Sequence, residues 1–252
     1  MFDLRNKIDF YLRNKIHLSR KNYSEPNESK DDLCFNEKEI LLEKDLLKKY
    51  NFEPYRNNST EINYCQNLYT LNFLDKYLPI EKQEKLSVLD IGSKNWFYVA
   101  GEYYFFKKYC LNLNLDGVEL DAYRLYSNFY NRYEVAKYYI KNLDGTNYIP
   151  DDVMNITNSY DYIIWILPFV TLYPLKCWGL PKKYFNPHKL FEHAYSLLKP
   201  NGKMLIVNQG EQEYDIQQKI AMGKILYSTK LENTFYEYEN ERFISIIGKT
   251  QW

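Results

Sequence analysis

The pattern of apolar and polar residues divides the chain near residue 86. Before this point, apolar residues recur at intervals of three or four, which predicts amphipathic helices over residues 2–18, 36–50 and 60–78. The polar, proline-containing stretch over residues 22–32 predicts a linker between the first two. The first helix is basic. Such a helix can bind a membrane surface or a partner, but we favour its packing on its own domain.

From residue 86 onward, short apolar segments alternate with long helical ones. We predict strands over residues 87–91, 113–120, 160–169 and 203–209, and a short edge strand within residues 147–153 that ends at Pro150. We predict helices over residues 96–112, 121–143, 187–203 and 210–226. This alternation indicates an α/β fold, with a mostly parallel sheet between helices on both faces, and residues 234–250 add a terminal hairpin with its turn near Glu239 and Asn240. A chain of 252 residues then holds one domain over residues 60–252 and a helical N-terminal extension over residues 1–59.

Acidic residues follow three of the predicted strands. Asp90 ends the first strand, Glu119 ends the second, and Asp151 and Asp152 follow the short third one. Because open parallel sheets bind ligands outside the carboxyl ends of their strands, these side chains should lie on one rim. A carboxylate can accept both hydroxyls of a ribose, as Glu119 would, or the amine of adenine, as Asp152 would. Gly92 would let such a ligand approach the backbone, and Asp90 could accept from an ammonium group or a bridging water.

Five segments of the α/β part share their order and spacing with a known family. They read VLDIGSKN, DGVELDAYR, YIPDDVMNI, YDYIIWILPF and LLKPNGKMLIV. Together they resemble the class I S-adenosylmethionine-dependent methyltransferases, and the match runs from Ser87 to Lys249. The resemblance implies a three-layer Rossmann-like fold with a seven-stranded sheet whose last strand is antiparallel. It also implies S-adenosyl-L-methionine as the cofactor.

The resemblance gives roles to the residues at the strand ends. It implies that Asp90 and Gly92 face the methionine part of the cofactor, that Glu119 binds the ribose and that Asp152 lies near the adenine. The cofactor site expected from the family comprises these residues and their neighbours, namely Asp90, Ile91, Gly92, Ser93, Glu119, Leu120, Asp152, Val153 and Trp165.

The first motif departs from the family pattern Asp-x-Gly-x-Gly-x-Gly. Asp90 and Gly92 match it, but Lys94 and Trp96 stand at the second and third glycines. Bulky residues rarely adopt a positive φ, whereas Asn95 tolerates it better, which allows the turn to move by one residue. Two interpretations stay open: a methyltransferase with a remodelled loop, and a catalytically silent module of the same fold that binds a partner. A dehydrogenase is disfavoured, because the loop lacks Gly-x-Gly-x-x-Gly and Asp90 would repel a pyrophosphate.

The segment after the fourth strand favours a small-molecule acceptor. Family members that methylate base amines carry Asn/Asp-Pro-Pro-Tyr/Phe there, whereas this chain has the sequence ILPF over residues 166–169. The balance of 33 basic and 33 acidic residues also disfavours nucleic acid as a partner. The long connection over residues 171–189, with Trp178, Tyr184 and Phe185, is expected to form a wall of the acceptor site.

Other residues narrow the chemistry further. Gln209, Glu211 and Glu213 follow the fifth strand and could touch an acceptor or simply begin a helix. No histidine follows a strand, so the sequence assigns no catalytic base. The four cysteines have neither metal-ligand nor redox-pair spacing, which predicts no metal site and reduced thiols in a cytoplasmic protein. The longest apolar run, over residues 162–175, is too short to span a bilayer, and the charged N-terminus has no signal-peptide core.

Overall fold

The computed structural model of the protein describes residues 2–249. In this range the helices are α1 (Phe2–Ile16), α2 (Glu37–Tyr50), α3 (Glu53–Arg56), α4 (Glu61–Tyr77), α5 (Val99–Lys107), α6 (Arg132–Ile140), α7 (Leu172–Cys177), α8 (Pro187–Ser196) and α9 (Gly210–Ile220). The strands are β1 (Gln83–Ile91), β2 (Cys110–Val118), β3 (Thr146–Ile149), β4 (Tyr160–Ile166), β5 (Leu198–Gln209), β6 (Ile225–Lys230) and β7 (Arg242–Gly248). None of these helices is long and apolar enough to cross a membrane.

The strands form one mixed sheet in the order β3-β2-β1-β4-β5-β7-β6. Six of them run in one direction, and β7 is antiparallel to its neighbours β5 and β6. β1 lies between β2 and β4, with Ile91 beside both Val118 and Trp165. The carboxyl ends of these strands therefore meet at one rim, where the strand order reverses. The predicted seven-stranded sheet with an antiparallel last strand is confirmed.

Alternate residues of β1 face the two sides of the sheet. Leu86 and Val88 belong to one apolar cluster, which also contains the buried residues of α4 and α5. Leu89 and Ile91 belong to a second cluster, which includes Phe191 of α8. This period of two is that of a pleated strand. Because helices cover both faces, the last four residues of β1 are buried on both sides of the sheet.

α4 supports the loop that follows β1. Thr60 caps the helix by accepting a hydrogen bond from the amide of Asn63 at 3.2 Å. The side chains of Asn63 and Asn67 both donate to the carbonyl of Phe97, at 2.6 and 2.8 Å. Asn67 also accepts from the amide of Gly101 at 2.8 Å. Two buried amide side chains of α4 thus fix the position of the residues at which α5 begins.

The N-terminal helices pack on the α/β part of the chain. Arg13 of α1 forms an ion pair with Asp121 at 2.5 Å, and the ring of Phe10 lies 5.1 Å from that of Tyr184. Leu46 of α2 belongs to the same apolar cluster as α4 and α5. The packing favoured for the first helix is therefore present, while the division of the chain into residues 1–59 and 60–252 stays a prediction.

The helix predicted over residues 121–143 is wrong in its extent. Only α6 is helical, and the residues before it form turns. Asp121 is buried in these turns and accepts from Arg124 at 2.5 Å. Asn131 then caps α6 by accepting from the amide of Glu134 at 2.9 Å. The apolar spacing resembled a longer helix, but these local polar contacts favour a turn.

The predicted terminal hairpin is also misplaced. β7 forms its hairpin with β6, and β6 lies before the predicted residues 234–250. Residues 231–241 form an irregular connection between the two strands. Within it, Phe235 has a positive φ of 68° and packs against Phe35, with ring centroids 5.2 Å apart. Tertiary packing of this aromatic side chain overrides the strand-like alternation around it.

Candidate functional site

A cavity of about 1350 Å³ lies at the carboxyl ends of the strands. Its wall contains Ile91 at the end of β1, Gly92 after it, Val118 at the end of β2, Trp165 of β4 and Gln209 at the end of β5. Sites for one drug-sized ligand measure about 300–1,000 Å³. The cavity therefore has room for two small ligands side by side, and its position is the switch point of the sheet.

Seven of the nine residues expected at a cofactor line this cavity. They are Ile91, Gly92, Glu119, Leu120, Asp152, Val153 and Trp165. The other two, Asp90 and Ser93, are fully buried beneath the loop and are not in the cavity wall. Asp90 was expected to face a ligand ammonium or a bridging water. It instead lies next to Glu102 of α5 and to Tyr98, the residue just before α5.

The loop after β1 has a left-handed backbone at all three glycine positions of the family motif, although only the first of them is a glycine. Gly92, Lys94 and Trp96 have positive φ values of 73°, 58° and 49°. Asn95 is not among the residues with a positive φ, so the turn has not moved by one residue as its sequence allowed. The left-handed conformation costs a non-glycine residue about 1–2 kcal/mol. The fold therefore holds Lys94 and Trp96 in strained conformations at the two positions where the family has glycine.

The side chain of Trp96 points into the core. It is fully buried, and a Cβ added to Gly117 of β2 would lie only 2.7 Å from its ring atoms. The indole Nε1 donates to Glu102 at 2.9 Å. The bulk at the third glycine position is thus accommodated beneath the loop, by a glycine on the neighbouring strand, and does not fill the cavity.

The side chain of Lys94 points the other way and lines the cavity. Its ammonium lies 5.1 Å from the ring centroid of Trp178 and 5.6 Å from that of Phe97. Within residues 2–249, no carboxylate oxygen lies within 4.0 Å of it. Burial, and then the nearby charge of Arg132, lowers the pKa of this ammonium.

Glu119 is placed at the cavity wall by a set of donors from the chain. Its Oε2 accepts from the amide of Lys94 at 2.9 Å, and its Oε1 accepts from the amide of Asp121 at 2.7 Å and from Arg132 at 3.1 Å. An ionised carboxylate has about four lone-pair sites. Three are used, so the contacts orient Glu119 while leaving capacity for one ligand hydroxyl.

Arg132 is a buried residue of the site that the sequence did not indicate. Its side chain is 3% exposed, pairs with Glu119 and lies 3.7 Å from Asp121. Its guanidinium carbon lies 4.9 Å from the ring centroid of Trp178. A basic residue in the first turn of a helix opposes the helix dipole. That signal could have marked Arg132, but only if the start of α6 had been predicted correctly.

Asp90 and Glu102 form a buried carboxyl pair under the loop. Tyr98 donates to Asp90 at 3.2 Å. Oδ2 of Asp90 and Oε1 of Glu102 are buried without a donor from residues 2–249, so a proton on Glu102 would join the two carboxyl groups. Burial raises the pKa of Asp90 to about 7, although the hydrogen bonds from Glu102 and Tyr98 oppose the shift. Burial, and then the charge of Asp90, raises the pKa of Glu102 well above its usual range. The pair therefore shares a proton near neutral pH.

Asp152 also lines the cavity, in the segment that follows β3. Its Oδ1 accepts from the amide of Met154 at 3.0 Å and so caps the short 3₁₀ helix Val153–Asn155. Asp151 accepts from Asn155 at 2.7 Å and lies on the cavity wall as well. We call the region lined by Gly92, Glu119, Leu120, Asp152 and Val153 the β2 side of the cavity.

The opposite region, which we call the β7 side, is lined by Tyr69, Gln209, Glu211, Glu213, Tyr238 and Arg242. Trp178 and Tyr184, both predicted to wall the acceptor site, line the cavity, whereas Phe185 does not line it. Burial raises the pKa of Glu213. Within residues 2–249, no group of three or more His, Cys, Asp or Glu side chains could hold a metal ion.

Solved structures with the same architecture are methyltransferases. An S-adenosylmethionine-dependent methyltransferase from Aquifex aeolicus is 12% identical over 72% of this chain and 90% of its own, with a TM-score of 0.50. A candidate class I S-adenosylmethionine-dependent methyltransferase from Listeria monocytogenes is 17% identical over 84% of this chain and 68% of its own, with a TM-score of 0.52. No family model and no curated protein matches the sequence. The chain has the Rossmann-like fold of class I methyltransferases, and its chemistry has to be argued from the cavity.

Proposed function

We propose that the protein is an S-adenosylmethionine-dependent methyltransferase that acts on a small molecule. The observation that carries the proposal is the loop after β1. Gly92, Lys94 and Trp96 keep left-handed backbones at all three glycine positions of the family motif, although two of them cost about 1–2 kcal/mol each. Strain of this kind is typical of ligand-binding segments.

The residues of the β2 side fit this cofactor. A Cβ at Gly92 would meet no protein atom within 4 Å, so the backbone there faces open space that a ligand can fill. Glu119 would accept one ribose hydroxyl at its remaining lone pair, and Asp152 has one oxygen left for the amine of adenine. Ile91, Leu120, Val153 and Trp165 would contact the adenosyl group. Asp90 and Ser93 would act from beneath, by holding the loop.

The acceptor would occupy the β7 side. The cofactor supplies a methyl group on a sulfonium, and transfer is an in-line displacement that depends mainly on the position and alignment of the acceptor. Trp178 and Tyr184 would exclude water from the region between the two ligands. No histidine of residues 2–249 lines the cavity, and we assign no catalytic base. The aromatic lining and the absence of a polar residue at Ile166 favour a small molecule over a base amine.

Calorimetric titration with S-adenosylhomocysteine tests the proposal. We expect micromolar binding to the wild-type protein and no binding of NAD. Glu119→Gln should weaken S-adenosylhomocysteine by about tenfold or more, which is about 1.4 kcal/mol. Glu84→Gln is the matched control, because Glu84 is exposed near the opposite end of β1. Absence of binding to wild-type protein that is shown to be folded would contradict the proposal and favour a silent module of this fold.

A further inference from the structure

Arg242 is an arginine without an acidic partner at the β7 side of the cavity. Its guanidinium carbon lies 3.2 Å from the ring centroid of Tyr238. Among residues 2–249, no carboxylate oxygen lies within 4.0 Å of its nitrogens. The glutamates of the same region, Glu211 and Glu213, therefore do not neutralise it. An arginine stacked on a ring keeps its N–H edge available, and that edge matches the two oxygens of a carboxylate or a phosphate.

A buried hydroxyl lies beside this arginine. Tyr69 of α4 is 2% exposed, and its hydroxyl has no hydrogen-bond partner in the described part of the chain. Its ring centroid lies 5.1 Å from that of Tyr238 and 5.9 Å from the guanidinium carbon of Arg242. Burial raises the pKa of Tyr69 to about 12, so the hydroxyl keeps its proton and can donate. The hydroxyl is not exposed in the cavity wall, so a ligand oxygen would accept from it only after the ring turns outward, and the ligand would then supply the hydrogen bond that the buried hydroxyl lacks.

This group of residues is separate from the expected cofactor contacts. Those contacts lie at the ends of β1 to β4, with Trp165 on β4, whereas Arg242 begins β7 and pairs with Gln209 of β5. In the sheet order, β5 separates β4 from β7. A group held by Arg242 would therefore not belong to the nucleoside part of a cofactor bound at Glu119. The binding of S-adenosylhomocysteine by Arg242→Gln, described below, separates an anion of a second molecule from the carboxylate of the cofactor itself.

We infer that Arg242, Tyr69 and Tyr238 bind an oxyanion of the methyl acceptor, a carboxylate or a phosphate, so that the substrate is an anionic small molecule. The role of the bound molecule as the methyl acceptor rests on the proposed function. The anion site itself depends only on the cavity and the residues that line it. Arg242 and Tyr69 supply donors for the anion. The faces of Tyr69 and Tyr238 offer the adjoining part of the molecule an apolar, aromatic surface.

Binding of three matched probes tests this inference. Benzoate and phenyl phosphate carry the two candidate anions, and benzamide has nearly the shape of benzoate without its charge. Dissociation constants would be measured by saturation-transfer NMR on the full-length protein. We expect at least one anion to bind about tenfold more tightly than benzamide, and the preferred anion identifies the oxyanion. Arg242→Gln should remove that preference, Arg242→Lys should keep part of it, and Tyr69→Phe should weaken the anion about threefold.

Two controls separate this inference from the proposed function. Lys230→Gln removes an exposed charge on the neighbouring strand β6 that pairs with Glu241, and it should leave every probe unchanged. Arg242→Gln and Tyr69→Phe should bind S-adenosylhomocysteine like the wild type, which also shows that they fold. Equal binding of anions and benzamide, or no binding of either anion at millimolar concentration, would overturn the inference even if S-adenosylhomocysteine binds. An Arg242-dependent anion preference without S-adenosylhomocysteine binding would support the site and contradict the cofactor.

Discussion

The two sides of the cavity differ in how their polar groups are satisfied. On the β2 side, Glu119 has donors from two backbone amides and from Arg132, and Asp152 caps a short helix. On the β7 side, Arg242 has no acidic partner and the hydroxyl of Tyr69 has no hydrogen bond within residues 2–249. The β2 side is thus preorganised by the chain itself, whereas the β7 side holds polar groups that only a ligand or solvent can satisfy.

This difference gives the two sides different expected roles. A preorganised carboxylate suits one invariant ligand, because its orientation no longer depends on that ligand. Unpartnered donors next to aromatic faces select a substrate by charge and shape, because a molecule without the matching group leaves them unsatisfied. We therefore expect substitutions in the core beneath the β2 side to affect stability, and substitutions of the residues that line the β2 side to affect cofactor affinity.

The largest effect is expected from the core beneath the β2 side. Trp96→Gly restores a glycine of the family motif and removes a strained residue, yet we expect it to lower the free energy of unfolding by about 3–5 kcal/mol, because it leaves a large cavity against Gly117. Urea denaturation measures the loss. Trp178→Gly is the matched control: Trp178 is 38% exposed and should cost much less. Equal losses for the two variants would show that Trp96 is not a core residue.

A pH dependence is expected from Asp90 and Glu102. Burial raises the pKa of both above their ordinary values of 3.8 and 4.5, that of Asp90 to about 7. From about pH 4 to 7 the folded pair keeps protons that the unfolded chain releases, so the free energy of unfolding falls as pH rises. Relative to the double variant Asp90→Asn, Glu102→Gln, the wild type should lose at least about 1.4 kcal/mol over this window, the value of one pKa unit.

Urea denaturation at several pH values gives this comparison. Glu84→Gln, at an exposed position near the start of β1, should follow the wild-type profile. If the free energy of unfolding changes with pH in the same way for the wild type and the double variant, the two buried carboxyls titrate as they do in the unfolded chain. That result would contradict a shared proton.

A matched pair of glycine variants separates strain from ligand contact. Gly92 and Gly223 both have a positive φ, and a Cβ on either would meet nothing within 4 Å. Gly92→Ala and Gly223→Ala should therefore cost similar stability, about 1–2 kcal/mol. Only Gly92 lines the cavity, so only Gly92→Ala should weaken S-adenosylhomocysteine, by about tenfold. Calorimetry that finds equal affinities for the two variants would remove Gly92 from the ligand site.

The smallest effect is expected at Lys94. Lys94→Gly removes the cost of a left-handed backbone at a non-glycine residue, which stabilises the fold by about 1–2 kcal/mol. It also increases the backbone entropy of the unfolded state, which destabilises the fold by about 0.4–1 kcal/mol, and it removes the cation from the ring of Trp178. These effects oppose each other, so thermal and urea denaturation should find a change within about 1 kcal/mol. A larger loss would mean that the ammonium of Lys94 stabilises the cavity far more than its contacts indicate.

The sequence predicted those parts of the molecule that depend on local pattern and on the family resemblance. The sheet, the position of Glu119 at the end of β2 and the position of Asp152 after β3 follow from strand ends and their spacing. The left-handed backbone at Lys94 and Trp96 could not be predicted, because residue preferences favour Asn95. Only the glycine on the adjacent strand explains how the bulk of Trp96 is accommodated.

Three charged residues of the site were missed for related reasons. Glu102 stands alone in the apolar segment WFYVAGEYYFF, a signal of a buried acid, but its partner Asp90 was expected to face a ligand. Arg132 was hidden inside a helix predicted to begin too early. Arg242 was assigned to a hairpin whose other strand lies elsewhere. In each case the partner is set by tertiary packing, which the sequence pattern does not encode.

A crystal structure grown with S-adenosylhomocysteine would show whether the loop after β1 holds the cofactor. We expect the adenosyl group on the β2 side, with a ribose hydroxyl on Glu119 and positive φ values at Gly92, Lys94 and Trp96. A nucleoside site empty at saturating ligand, or a loop in which Asn95 is left-handed while Lys94 and Trp96 are not, would contradict this expectation.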